Sequence, residues 1–416
     1  MLLAGDIGPA GVDALDTGIV LAVATAAGAP LSHAAILARS IGLPLVTGLG
    51  AALLDVPPGA LVLVDGDAGT VEVEPAAAAV NVAAARQETS RRRLEQARGA
   101  AMSPAVTLDG HTVTVLVNTA SPEEAAAAVA QGADGVGMLR TEFAFLGRSE
   151  APGEAEQYEA YRGVADAIGD RPLVIRTLDL GADIPAWGGG WEPNPALGNR
   201  GIRFTLANRP LLEVQLRAIA RLAGERPLQV MFPMVTTVDE VRDARACLDA
   251  IDPAGRLEVG ITVEVPAAAV CADALAPLVD FFAIGTNDLT QYTLAADRAN
   301  SAVAALADGM HPAVLRLIRQ VTAAGERHGR PVEVVGELGC DPLALPLLLG
   351  LGVSTLSVRP NAVAAVKQAV RLVRLGDARL LADAALDAES AAAVRRLCVA
   401  AAAAGPGARE AARGVL

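Results

Sequence analysis

Lysine is almost missing from this 416-residue chain: Lys367 is the only one, against 33 arginines. Any cationic site must therefore rest on arginine, whose planar fork suits phosphate and carboxylate because it binds two oxygens at once. Histidine is nearly as scarce, which leaves His33, His111, His311 and His328 to be weighed. The four cysteines, Cys247, Cys271, Cys340 and Cys398, are scattered and form neither a CxxC pair nor a zinc spacing, so a reduced, cytoplasmic chain is expected. No apolar run reaches the ~18 residues of a membrane-spanning helix. The segment Met1 to Asp6 lacks a basic region and a long apolar stretch, so no secretory signal is expected. The net charge of −13 argues against nucleic acid as a general partner. Aromatics at 3% beside hydrophobics at 52% fit a GC-rich coding bias and carry no functional message.

What is present divides into three parts. Residues 1–75 read as a small α/β unit. Residues 18–25 are a strand-like run, residues 32–40 a short helix capped by Ser32, and 45–46, 61–64 and 70–73 further strands among Gly and Pro. Residues 76–104 read as a helical linker, Ala-rich and then Arg-rich, closed by Ser103-Pro104. From 105 to 416 the pattern alternates. Strand-like runs at 113–118, 135–139, 173–178, 228–232, 259–263, 280–284, 332–336 and 353–358 are each followed by a helix-like run. Eight βα units in succession, with almost continuously apolar strands, predict a parallel (β/α)8 barrel in an α/β chain. The tail from 377 reads as an Ala-rich helical cap.

Barrel sites sit at the C-terminal ends of the strands. The residues just past these runs include Asn118, Arg140, Arg176 with Asp179, Glu264, Asn287-Asp288, Glu337 and Arg359, with Arg200 and Arg298 on long loops. Any one of these arginines reads as an ordinary surface residue. The set at strand ends reads as a grip for a compact polyanion. Glu264 and Asp288, from neighbouring strands, suit a hard cation such as Mg²⁺, which takes oxygen ligands and keeps waters or phosphate oxygens. Together they describe a phosphorylated carboxylate with a metal bridge.

His33 follows Ser32 at the start of a helix. Its position alone fits a histidine packing locally. A helix N-terminus also favours an anion, so a phosphoryl group carried there would be stabilised. His111 and His328 read as surface residues, and His311 as a weaker site candidate.

These segments resemble the phosphoenolpyruvate-utilising phosphotransferases, most closely Enzyme I of the bacterial sugar phosphotransferase system. The matching stretches are 28–49 (GAPLSHAAILARSIGLPLVTGL), 132–148 (GADGVGMLRTEFAFLGR), 175–183, 192–203, 231–235, 260–300 with IGTNDLTQYTLAADR, and 309–317. The resemblance implies a swivelling phosphohistidine domain, a helical linker, and a barrel that binds phosphoenolpyruvate and dimerises. It implies that His33 takes the phosphoryl group, that Arg140, Arg176, Arg200 and Arg298 grip the substrate's phosphate and carboxylate, that Asn287 lies close to it, and that Glu264 and Asp288 hold Mg²⁺. Pyruvate, sugar transport and a cytoplasmic homodimer follow from the same likeness.

The chain departs from that pattern in three places. The helical subdomain that receives the small carrier protein HPr has no counterpart before residue 1, which argues against direct transfer to HPr and leaves the 1–75 unit open to being incomplete. Val335 stands where the family has a cysteine that supplies a proton to enolpyruvate, and Cys340 lies five residues later. Ile184 follows Asp183 where a lysine is common, while Leu31 and Ala29 replace a threonine and a glycine.

The first functional reading is thus Mg²⁺-dependent phosphoryl transfer from phosphoenolpyruvate to His33. The second is a degenerate paralogue that binds phosphoenolpyruvate as a sensor or scaffold. An ATP-using dikinase finds no Gly-rich nucleotide loop in the sequence.

Overall fold

The computed structural model describes residues 1–29, 32–66, 68–145, 148, 150–180, 192–300 and 302–405. Leu31, Asp183 and Ile184 lie outside the described residues, as does most of the Gly-rich stretch before Glu192. The chain forms two compact units, Met1–Gly99 with Leu294–Asp308, and Ala100–Thr293 with Gly309–Leu416.

In the first unit, β1 (Leu2–Ala4), β2 (Val23–Thr25) and β3 (Leu45–Val46) form a parallel sheet in that order. Val12, Val23, Ala34, Ala38 and Leu43 make its core. Ala34 and Ala38 are four residues apart and so share one face of the helix His33–Ser40. Only the end of the strand-like run 18–25 is strand. The Asp16 carboxylate accepts from Gly18 N at 2.8 Å, and the Asp16 carbonyl accepts from Val20 N at 2.8 Å, which turns residues 16–20. Gly28 sits at φ +97°, and a Cβ there would lie 3.3 Å from Asp6 Oδ1, so the turn before His33 requires glycine. An antiparallel hairpin of β4 (Val62–Asp65) and β5 (Thr70–Val73) follows, then the helix Ala77–Gly99. That helix is mostly exposed and carries Glu88 bonded to Arg91 and Arg92.

In the second unit a short β6 (Ala105–Val106) pairs antiparallel with β7 (Thr112–Thr119). Parallel pairing then runs through β8 (Val136–Arg140), β9 (Leu173–Arg176), β10 (Gln229–Phe232), β11 (Glu258–Val263), β12 (Phe281–Gly285), β13 (Val332–Val335) and β14 (Thr355–Val358). Strand β14 pairs with β7, so eight parallel strands close into a barrel. Its interior is packed by Met138, Val174, Met231, Phe281, Ala283 and Val335. Gly260 is required by that filling: a Cβ there would sit 2.2 Å from the Phe281 ring.

The helices between strands bury their apolar faces on the outside of the barrel. Their starts follow local chemistry, as in Thr237, whose hydroxyl accepts from Glu240 N while the Glu240 carboxylate accepts from Thr237 N. Directly after β12 the chain forms the helix Thr286–Leu294, a segment the sequence pattern leaves in a loop. Lys367, on the helix Val363–Val370, is 1% exposed. It donates to Asp134 Oδ1 at 2.6 Å, while Asp134 Oδ2 accepts from Val115 N at 2.8 Å. The helices Leu375–Leu386 and Ala391–Ala404 close the described chain. No helix among the described residues is long and apolar enough to cross a membrane.

Candidate active site

The strand ends carry the polar residues. Arg140 is the last residue of β8 and Arg176 the last of β9. Glu264 follows β11 directly, and Asn287 and Asp288 occupy the first turn of the helix after β12. Arg200 precedes the helix Ile202–Ala207 and is buried, as are Asp179, Glu264 and Asp288.

These side chains form one connected network. Arg176 Nη2 donates to Glu142 Oε1 at 2.8 Å, and its Nη1 lies 3.4 Å from Asp179 Oδ2 and 4.0 Å from Glu264 Oε1. Arg200 forks onto Asp179, Nε to Oδ1 at 3.2 Å and Nη2 to Oδ2 at 2.8 Å. Its Nη1 reaches Asp288 Oδ1 at 3.4 Å and the Tyr292 hydroxyl at 3.2 Å. Tyr292 in turn donates to the Ala196 carbonyl, which ties the loop before Arg200 to the helix after β12. Met234, in the left-handed region at φ +61°, points its N–H at Glu264 Oε2 over 3.0 Å. Asn287 Oδ1 accepts from Glu337 N at 3.1 Å, joining the ends of β12 and β13.

The network sets four carboxylates, Glu142, Asp179, Glu264 and Asp288, against two guanidiniums. Burial would lower Arg176, but Glu142, Asp179 and Glu264 outweigh it and hold its pKa above the usual arginine range. Glu264 goes the other way. Burial first, then the charges of Asp288 and Asp179, push its carboxyl up to about 7, with Arg176 and Arg200 opposing. Arg140 lies 5.4 Å from the centroid of the Phe143 ring; burial lowers its pKa, Glu142 and Glu124 oppose, and Arg176 adds repulsion.

An excess of buried carboxylate with crowded, partly neutralised oxygens is the donor set a divalent cation suits. Glu264 and Asp288 place hard carboxylate oxygens at adjacent strand ends. Among the described residues no group of three or more His, Cys, Asp or Glu is arranged for a metal. Two carboxylates leave positions for water and substrate oxygens, which is how Mg²⁺ is usually held.

Of the residues singled out in the sequence, Arg140, Arg176, Arg200, Glu264, Asn287 and Asp288 are gathered in the barrel unit. His33 belongs to the other unit, as the first residue of the helix His33–Ser40, where Ser32 Oγ accepts from Ala35 N at 3.3 Å. Arg298 lies in Leu294–Asp308, which belongs to that same unit. Glu142 and Tyr292 were not legible as site residues. The signal for Glu142 was its place two residues after Arg140, at the end of a strand.

Comparison with known proteins accords with this arrangement. Residues 94–375 match the PEP-binding domain of PEP-utilising enzymes, and residues 1–69 match their mobile domain. The chain is 46% identical over 411 residues to a multiphosphoryl transfer protein of Xanthomonas campestris pv. campestris, covering 95% of this chain and 48% of that protein. It is 43% identical over 404 residues to a multiphosphoryl transfer protein of Rhodobacter capsulatus, covering 95% and 49%. It is 39% identical over 414 residues to a phosphoenolpyruvate-protein phosphotransferase of Haemophilus influenzae, covering 95% and 71%. The chain thus spans about half the length of the first two relatives and more of the third. By these matches and its closed barrel, the chain belongs to the PEP-utilising enzyme family.

Proposed function

We propose that this chain transfers the phosphoryl group of phosphoenolpyruvate to His33, leaving pyruvate, with Mg²⁺ as the metal. The observation that carries the reading is the buried network in which Arg176 and Arg200 meet Glu264 and Asp288 at the strand ends. Arginines of fixed geometry there hold an anion's phosphate and carboxylate oxygens, with Arg140 beside them and Arg298 as a further grip. Asn287 borders the substrate.

The chemistry follows from that placement. One imidazole nitrogen of His33 attacks phosphorus, an N–P bond forms, and the bridging O–P bond breaks to leave the enolate of pyruvate. Phosphoryl transfer demands little of the protein beyond in-line positioning and neutralisation of charge, and arginines already fixed by carboxylates need no reorganisation to supply it. Glu264 and Asp288 would hold Mg²⁺, which when bound draws charge from the phosphate oxygens. The free N–H groups of the first turn after Ser32 favour the anionic phosphohistidine.

The names of the relatives support phosphoryl transfer to a protein, and the resemblance, which speaks for a cytoplasmic homodimer, leaves direct transfer to an HPr-like carrier disfavoured. The experiment is incubation with ³²P-phosphoenolpyruvate and Mg²⁺. Acid-labile label that disappears in His33→Ala is expected; equal label in the variant sinks the reading. Val335 favours a second reading, a protein that binds phosphoenolpyruvate without turnover, which calorimetric binding without label would support.

A further inference from the structure

A second buried polar network, without formal charge, ends on the charged one. Gln215, on the helix Arg209–Ala223, is buried and turns its amide toward the end of β9. Its Oε1 accepts from Leu178 N at 2.9 Å. Its Nε2 donates to Thr141 Oγ1 at 3.2 Å and to the Tyr161 hydroxyl at 3.0 Å. A backbone N–H only donates, so the amide oxygen must face Leu178, and the amide protons go to the two hydroxyls.

Each hydroxyl then donates onward. Thr141, the residue after β8, donates to the Arg176 carbonyl at 2.9 Å. Tyr161, on the helix Glu154–Ile168, donates to Gln157 Oε1 at 2.9 Å, and Gln157 Nε2 donates to the Pro152 carbonyl at 2.9 Å. Thr141, Gln157 and Tyr161 are buried like Gln215. Burial holds the Tyr161 phenol above its ordinary pKa, so it keeps its proton and remains a donor.

These side chains take over where strand pairing stops. Arg176 is the last residue of β9, and Thr177 N still reaches the Met231 carbonyl on β10 at 2.9 Å. From there side chains hold the backbone. Thr141 meets the Arg176 carbonyl, Gln215 meets Leu178 N, and Glu142 Oε1 meets Asp179 N at 3.0 Å. The same Glu142 oxygen accepts from Arg176 Nη2. The segment that carries Arg176 and Asp179 is thus fixed on both sides of Thr177. Apolar side chains could fill this space, but they would leave buried backbone groups unpaired. A buried network with every member satisfied selects one arrangement.

We infer that Gln215 is a positioning residue for the candidate substrate site: through Thr141 and Leu178 it fixes the backbone around Thr177 and so aims the Arg176 guanidinium at the bound anion. The inference rests on the reading of Arg176 as a grip on phosphoenolpyruvate. Gln215 stands behind the strand end and acts only through its partners. A network that served stability alone would shift melting and leave the affinity of the folded protein unchanged. A network that aims Arg176 also sets that affinity, because a displacement of about 1 Å in a positioning group can cost on the order of a hundredfold.

The test separates binding from transfer. Phosphoenolpyruvate is titrated calorimetrically with Mg²⁺ into full-length protein carrying His33→Ala, below the melting transition of each variant, so that affinity is read without phosphoryl transfer. Labelling of the His33 protein by ³²P-phosphoenolpyruvate is measured in parallel and tests the phosphoryl-transfer reading on its own. Gln215→Met keeps the side-chain volume and removes the bonds to Leu178, Thr141 and Tyr161; it is expected to weaken binding about tenfold or more. Thr141→Val, which deletes the hydroxyl, is expected to weaken it similarly, and Thr141→Ser, which keeps the hydroxyl, to stay within about threefold of the parent. Where Gln215→Met does not fold, the Thr141 pair decides. A folded Gln215→Met or Thr141→Val that binds like the parent, or a Thr141→Ser that loses as much as Thr141→Val, overturns the proposal. Missing label with these affinity differences intact removes the phosphoryl-transfer reading and leaves the role of Gln215 standing; a parent that does not bind phosphoenolpyruvate removes both.

Discussion

Arg200 holds Asp179 with two nitrogens, at 3.2 and 2.8 Å, and spends its third on Asp288 and Tyr292. Two carboxylates from different strand ends are thereby linked through one guanidinium, so a change at either is felt at both.

Asp179→Ala is expected to be costly for that reason. It strips the buried Arg200 of its bidentate partner and Arg176 of a neighbour at 3.4 Å. Breaking a buried pair by removing one member costs about 3–5 kcal/mol. Denaturant unfolding of the variant should show a lowered midpoint with an unchanged slope. A loss under about 1 kcal/mol would mean that water already screens the pair.

Glu264 makes stability depend on pH. Its carboxyl is raised on folding from 4.5 to about 7 by burial and by Asp288 and Asp179. Below about 4.5 both folded and unfolded forms keep the proton. Between there and about 7 the unfolded form ionises first, so this group lowers stability as pH rises. Glu264→Gln should match the parent near pH 4 and exceed it at pH 8, as read by thermal melts. An advantage equal at both pH values would count against this assignment.

Mg²⁺ should act on the same group with the opposite sign. A cation that binds the ionised carboxylates of the folded state raises the melting temperature. The rise is expected to be larger at pH 8 than at pH 6, and to vanish in Asp288→Asn with Glu264→Gln. A rise that survives the double substitution places the ion elsewhere.

Ser32→Ala removes the hydroxyl that accepts from Ala35 N. N-cap loss costs about 1 kcal/mol. Amide hydrogen exchange should quicken in residues 35–40 and stay unchanged in the barrel strands. Uniform quickening would show that the cap supports more than its own helix.

The eight barrel strands were legible because buried parallel strands are almost continuously apolar, and several of the runs stop at a charged or amide residue. Arg140, Arg176 and Glu264 stood out for the same reason. The helix Thr286–Leu294 did not, because it buries Thr286, Asp288, Thr290 and Gln291 and so lacks an apolar stripe. The link from Arg200 to Asp288 spans 88 residues and has no local signature. Residues 18–22 read as strand on apolarity alone, and the turn held by the Asp16 carboxylate and carbonyl decided otherwise.

The burial of Lys367 reaches beyond its contact with Asp134. The chain's only lysine is sealed inside the fold, so the folded surface offers no side-chain primary amine. Reagents and enzymes that acylate lysine, or attach a peptide tag to it, find no side-chain handle until the barrel opens. Amine acylation of Lys367 is therefore a reporter of barrel unfolding, against a background free of other lysines.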